Sequence, residues 1–187
     1  MKKKRLVVGL SGASGAPLAV ELLATLQNMS DWETHLVYTN SFEETLKIET
    51  QLTIRELSSK ATKVYDINNM GSSISSGTFQ TEGMIIVPCS MKTLAGVTYG
   101  YSDNLLLRAA DVTIKERRKL VLVTRETPLN PIHLKNMLYL AERGIVLLPP
   151  MLTYYNNPQS VHEMTRHIIS KMLDIFNIQA PDFKRWE

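Results

Sequence analysis

An α/β fold, a flavodoxin-like or Rossmann-like parallel sheet with helices on both faces, is predicted as one domain over residues 1–187. Three observations predict it. Short apolar runs ("LVVGL", "MIIVP", "LVLVT", "IVLLPP") alternate with longer segments of helical period. The middle runs are apolar at successive positions, the pattern of strands covered on both sides. Most of these runs end in small, hydroxylated or charged residues, as at the ligand-binding edge of such sheets.

The elements follow in order. Arg5–Gly9 reads as the first strand. Pro17–Met29 is the first helix, because a proline in the first turn loses no hydrogen bond, and Leu18, Leu22, Leu26 and Met29 make its apolar stripe. "ETHLVYT" (33–39) is the second strand. Ser41 with Glu44 has the capping-box spacing for a second helix, and Thr53 with Glu56 repeats it for a third. "KVYD" (63–66) is a short strand, and 68–78 is polar, glycine-punctuated loop. "GMIIVPCS" (83–90) is a strand, with a helix from Met91. Asp103 caps a helix running to Lys115. "KLVLVTRE" (119–126) is a strand, Asn130-Pro131 opens a helix that ends near Gly144, and "GIVLLPP" (144–150) is the last strand. Asn157-Pro158 opens the final helix, which runs to Phe176.

A net charge of +3 is too small to point to nucleic acid, and "KKKR" (2–5) and "KERRK" (115–119) read as solvated ends of elements. A single cysteine, Cys89, excludes an intramolecular disulfide and a cysteine-rich metal site, and fits the reducing cytoplasm. The apolar run in "MKKKRLVVGL" is about five residues long, short for a signal peptide, and no run of about 18 apolar residues exists to span a membrane. His35, His133, His162 and His167 lack metal-ligand spacing, so no metal is expected.

The strand ends carry the chemistry. The first turn has Gly9, Gly12 and Gly15, but Ser11 breaks the dinucleotide fingerprint and no GK[ST] follows. Its N–H groups, Ser11 and Ser14 suit an anion or a flavin edge, and equally a tight turn without a ligand. Ser90, Lys92 and Thr93 form either a phosphate cradle or a helix cap with a surface lysine. Cys89 reads as a small buried hydrophobe rather than a nucleophile.

Glu49 shares a helix face with the apolar Phe42 and Leu46, so burial is expected to raise its pKa and suit it to proton transfer; the alternative is a frayed end reaching water. Arg108 and Lys115, seven apart on one helix, could join Arg125 and Glu126 in a cluster of three cations and one acid around a phosphate leaving group. A solvated helix face is the simpler reading. Lys171 interrupts the apolar spacing Val161, Met164, Ile168, Ile175, and either snorkels or meets an anion or a partner subunit.

The motifs "SGASGAP", "SISSGTF", "PCSMKTLAG", "RAADVTIKERRKLVLVTRETPL", "HLKNM", "YYNNPQSV" and "DFKRW" together resemble the UbiX-type flavin prenyltransferase family, in particular small subunit-B-type proteins associated with phenolic-acid decarboxylases. The resemblance implies a homododecamer that transfers a dimethylallyl group from dimethylallyl monophosphate to reduced FMN. The prenyl C–O bond breaks, flavin N5 is alkylated, and C6 closes a fourth ring. The product is the cofactor of UbiD-type decarboxylases.

By position, the resemblance assigns Gly12, Ala13, Ser14, Thr39, Ser90, Met91, Lys92, Thr93 and Arg125 to FMN. Lys115, Tyr155 and Lys171 surround the prenyl phosphate, Arg108 adds charge, and Glu126 protonates the leaving phosphate. Glu49 and Ser14 manage the proton near flavin N5, and Trp186 closes the site. The chain has Lys171 where many members have arginine, which keeps the charge but loses the two-pronged phosphate contact. It has Thr39 where serine is frequent, and "MLTYY" where "PAFY" is common. Two other readings stand beside this one. A flavin-binding accessory subunit without chemistry needs no acid at a leaving group. A flavin-dependent cysteine decarboxylase relies on a histidine after the second helix, and "SFEETLKIET" has none.

Overall fold

The computed structural model describes residues 3–181, 183 and 185. The chain enters at β1 (Lys4–Leu10), then forms α1 (Ala16–Gln27), β2 (Trp32–Tyr38), α2 (Asn40–Glu49), α3 (Ile54–Ser58) and β3 (Lys63–Tyr65). It continues through β4 (Gly83–Cys89), α4 (Met91–Thr98), α5 (Leu105–Lys115), β5 (Lys119–Thr124), α6 (Pro131–Ala141), β6 (Val146–Leu147) and α7 (Val161–Asp174). The six strands lie in the order β3-β2-β1-β4-β5-β6, all neighbours parallel. The chain starts at the centre, walks to one edge, and crosses back at β4. That reversal between β1 and β4 is the topological switch point, where loops diverge and leave a crevice.

Alternation along the strands divides the interior into two layers. Leu6, Val8, Ile85, Val87, Val121 and Val123 face α1, α2 and α7, and Val7, Met84, Ile86, Leu120 and Leu122 face α4 and α5. Phe42 and Leu46 are fully buried, as the α2 pattern predicts.

Several helix starts differ from the sequence expectation by one to four residues. Thr39 rather than Ser41 caps α2, because β2 ends at Tyr38 and Thr39 keeps an extended backbone; its hydroxyl accepts the Phe42 N–H at 3.3 Å. The Ser41–Glu44 capping box does not form, whereas the Thr53–Glu56 box does. Asn104, not Asp103, caps α5 through its side-chain oxygen, 3.0 Å from the Leu107 nitrogen. Asn157 has a left-handed backbone (φ 49°), which keeps the Asn157-Pro158 pair in the preceding turn, and Ser160 caps α7. α1 ends at Gln27 rather than Met29, and β6 is an edge strand only two residues long, since Pro149 and Pro150 soon follow without the N–H a ladder needs. The 68–78 loop contains a 3₁₀ turn at Ser73–Ser75.

Candidate active site

The carboxyl ends of β1 and β4 are joined by one buried hydroxyl. Ser11 Oγ donates to the Pro88 carbonyl at 2.9 Å and accepts the Ser90 N–H at 2.9 Å. Ser90 then caps α4, accepting the Thr93 N–H at 3.2 Å and donating to the Thr93 hydroxyl at 3.1 Å. Ser90 and Thr93 therefore hold each other, and Lys92 between them is exposed.

The first turn lies directly on the start of α2. A Cβ at Gly12 would sit 2.3 Å from Ser41 Cβ, so only glycine allows this approach. Gly15 has φ +126°, a conformation that L side chains rarely adopt. It turns the chain into α1, whose first N–H groups, those of Gly15 and Ala16, have no partner within the helix. Both donate to Glu49 Oε2, each at 2.8 Å. A cavity of about 150 Å³ opens between these turns, lined by Ser11, Gly12, Thr39, Ser41, Ser90, Lys92 and Thr93.

Glu49 is half-buried, and its electrostatics differ from the expectation. Burial does push its pKa up. The hydrogen bond from Ser14, those from the Gly15 and Ala16 N–H groups, and the nearby Arg125 together outweigh burial and hold it below the ordinary glutamate value. At neutral pH Glu49 is therefore an ionised acceptor, not the poised acid that its apolar helix face predicts. Cys89 behaves as expected: it is fully buried, and desolvation pushes its thiol up and out of reach of deprotonation.

Arg125 and Glu126 follow β5 at this same carboxyl edge, both exposed; the Arg125 N–H donates to the Cys89 carbonyl at 3.1 Å. Glu126 accepts the Thr127 N–H at 3.1 Å. Lys115 does not join them. α5 begins beside the cavity, which Leu106 and Leu107 also line, and Lys115 lies eight residues beyond Leu107, about 12 Å along the helix axis. There it pairs with Glu116 beside Gly77, next to the amino-terminal end of β5. The four-member cluster expected from the sequence is thus not formed within one chain. Arg108 and Lys115 do face the same way, against the 72–78 segment, where Arg108 donates to Asp111 at 2.6 Å and to the Ser75 carbonyl at 3.3 Å.

Lys171 does not interrupt the apolar seam. Ile168, Ile169, Met172 and Leu173 turn inward on α7, while Val161 is 78% exposed and Lys171 lies on the outer side. α7 ends at the amino-terminal edge of the sheet, where Lys119 Nζ donates to the Ile175 carbonyl at 2.6 Å. Tyr155 is exposed in the loop before α7, and its hydroxyl lies 3.1 Å from His167 Nε2. His167, weighed in the sequence only as a metal ligand, is buried one turn before Lys171. Trp186 lies outside the described residues. Among the described residues, no group of three or more acidic, histidine or cysteine side chains could hold a metal ion, and no helix is long and apolar enough to cross a membrane.

The Flavoprotein family model matches residues 1–177. Flavin prenyltransferase LpdB of Lactiplantibacillus plantarum is 48% identical over 98% of this chain and 98% of its own length. The crystal structure of a dodecameric FMN-dependent UbiX-like decarboxylase from Escherichia coli O157:H7 superposes with a TM-score of 0.96 at 46% identity, covering 98% of this chain and 99% of the other. AnUbiX (PadA1), crystallised with FMN and dimethylallyl pyrophosphate, superposes with a TM-score of 0.96 at 44% identity, covering 99% of this chain and 98% of the other. A family match over nearly the whole length, and near-half identity to a named flavin prenyltransferase, place this chain in the UbiX-like flavin prenyltransferase family of flavoproteins.

Proposed function

We propose that residues 1–187 act as one flavin prenyltransferase domain, transferring a dimethylallyl group from dimethylallyl monophosphate to N5 and C6 of reduced FMN without a metal. We further propose that the product serves a UbiD-type aromatic-acid decarboxylase. The observation that carries this reading is the joined pair of turns at the switch point, with an ionised glutamate, Glu49, held against the first of them.

The donors around the cavity suit FMN, which is larger than the roughly 150 Å³ that one chain encloses there. Gly12, Thr39, Ser90, Lys92 and Thr93 line the cavity with main chain, hydroxyls and one cation, and Ser14 and Arg125 follow the neighbouring strand ends. Gly12, Ala13, Ser14, Thr39, Ser90, Met91, Lys92, Thr93 and Arg125 would hold FMN. Bound reduced FMN supplies the nucleophilic nitrogen and carbon that accept the prenyl group.

The chain's own residues act on the donor and on the proton. Breaking the allylic C–O bond of the monophosphate dianion leaves positive charge on the prenyl carbon and the bonding pair on oxygen, and with one added proton the phosphate departs as the hydrogen phosphate dianion. Arg108, Lys115 and Lys171 would stabilise that dianion, Tyr155 would donate to it, and Glu126 would supply its proton as it leaves. Glu49, ionised and bonded to Ser14, would accept the proton released near N5.

One chain does not gather that set, since Lys115 lies along α5 from the cavity and Arg125 and Glu126 lie beside it. We therefore read the chain as a homododecamer, like the E. coli structure, in which neighbouring copies bring Lys115 and Lys171 toward another copy's cavity.

The test is incubation of the purified protein with FMN, a reductant and dimethylallyl monophosphate in chelator, followed by mass analysis of the flavin. A mass gain of one dimethylallyl group supports the reading. Bound FMN without that gain supports the accessory-subunit reading instead. A parallel incubation with the pyrophosphate identifies the donor form, and addition of apo UbiD-type decarboxylase reports whether the product is used.

A further inference from the structure

We propose that His167 is a positioning residue for Tyr155: the imidazole, held between Asn156 and Tyr155, donates to the phenol oxygen and so commits the Tyr155 hydroxyl to donating toward the substrate phosphate. The inference rests on the assignment of Tyr155 to the prenyl phosphate made above.

The geometry is specific. His167 is 5% exposed, on the first buried turn of α7. Its Nε2 lies 3.1 Å from Tyr155 Oη, with the rings edge to face at 5.5 Å between centroids. On the other side, Asn156 Nδ2 approaches Nδ1 at 3.4 Å. With the Asn156 amide nitrogen turned toward Nδ1, an orientation that leaves the buried Asn156 Oδ1 without a partner among the described residues, Nδ1 accepts and the ring proton sits on Nε2. An Nε2–H can only donate to the phenol oxygen. A phenol that accepts one hydrogen bond becomes a stronger donor of its own proton, because chained hydrogen bonds polarise one another.

Two further features keep the imidazole in that state. Burial, and then Lys171 one turn along α7, lower the pKa of His167 below its ordinary value. The ring therefore stays neutral with a cation one turn away on the same helix. Phe183 stacks at a tilt on the ring, 5.4 Å between centroids, and fixes its plane.

The experiment is a cycle of His167→Leu, Tyr155→Phe and the double variant, read as KM for dimethylallyl monophosphate, kcat and the FMN dissociation constant. Loss of the alignment of Tyr155's hydrogen bond to the charged phosphate predicts a KM increase of up to about tenfold for His167→Leu. The FMN constant should stay within about twofold, and the double variant should match Tyr155→Phe alone. His167→Gln, which presents an N–H donor at a similar reach, should recover most of the loss. Equal KM increases in both backgrounds, or an unchanged KM in His167→Leu, would overturn the proposal.

Should the leucine variant not fold, Asn156→Ala, in the loop, removes the donor to Nδ1 and should raise KM severalfold; an unchanged KM overturns the proposal. Calorimetric binding of dimethylallyl monophosphate to the FMN-loaded protein reads the same cycle without turnover. An inactive wild type that still binds the donor thus refutes the reading of function while the cycle decides on His167. No binding to the wild type refutes both.

Discussion

Glu49, at the end of α2, accepts the Gly15 N–H at 2.8 Å and so caps a helix 34 residues earlier in the chain. The same oxygen takes the Ala16 N–H, so this one side chain caps the start of α1. Its folded pKa lies below the unfolded one, so its contribution to stability is complete above the ordinary glutamate value and is lost as pH falls through the folded value. Glu49→Ala should cost about 1 kcal/mol at pH 7. In urea unfolding, the gap between wild type and Glu49→Gln should narrow as pH is lowered below the glutamate range. A gap that widens toward acid would contradict the assignment.

Ser11 bridges two loops with a single buried hydroxyl. Ser11→Ala leaves the Ser90 N–H without that acceptor and should destabilise the protein by about 1–3 kcal/mol, read as a lower urea midpoint at unchanged slope. FMN affinity should fall with it, because Ser90 caps α4 from the far side of the bridge.

Gly12→Ala meets both the side chain and the main chain of Ser41, at 2.3 Å from Cβ and 3.1 Å from the carbonyl carbon. The turn must shift, so FMN binding, followed by quenching of flavin fluorescence, should weaken about tenfold or more, in line with the roughly 1–3 kcal/mol cost of overpacking. Adding Ser41→Gly removes the nearer contact but not the main-chain one, so rescue should be partial.

Glu126→Gln keeps the size of the side chain and removes its proton chemistry. Both FMN and dimethylallyl monophosphate should bind near wild-type affinity, while kcat for prenylated flavin falls about 10²- to 10⁴-fold. Wild-type turnover in this variant would remove Glu126 from the mechanism.

Much of the architecture was readable in the chain. Continuous apolar runs at "MIIVP" and "LVLVT" are strands buried on both faces, and the Thr53–Glu56 spacing is a capping box in fact. The strand ends flagged as candidate sites include those that line the cavity. The helix starts were less readable. Thr39 and Ser41, or Asp103 and Asn104, are neighbouring residues able to cap, and the choice depends on where the preceding segment stops being extended.

By itself the sequence determined the fold class, the edge of the sheet where the cavity lies, and the family, since these follow from local periodicity, turn residues and contiguous motifs. Only the tertiary structure decided the protonation of Glu49, the buried partner of Tyr155, and the separation of Lys115 from Arg125. Each of these depends on distances between segments far apart in the chain or across an element's full length. Hydrogen bonds and Coulomb forces act at those distances, whatever the spacing in sequence.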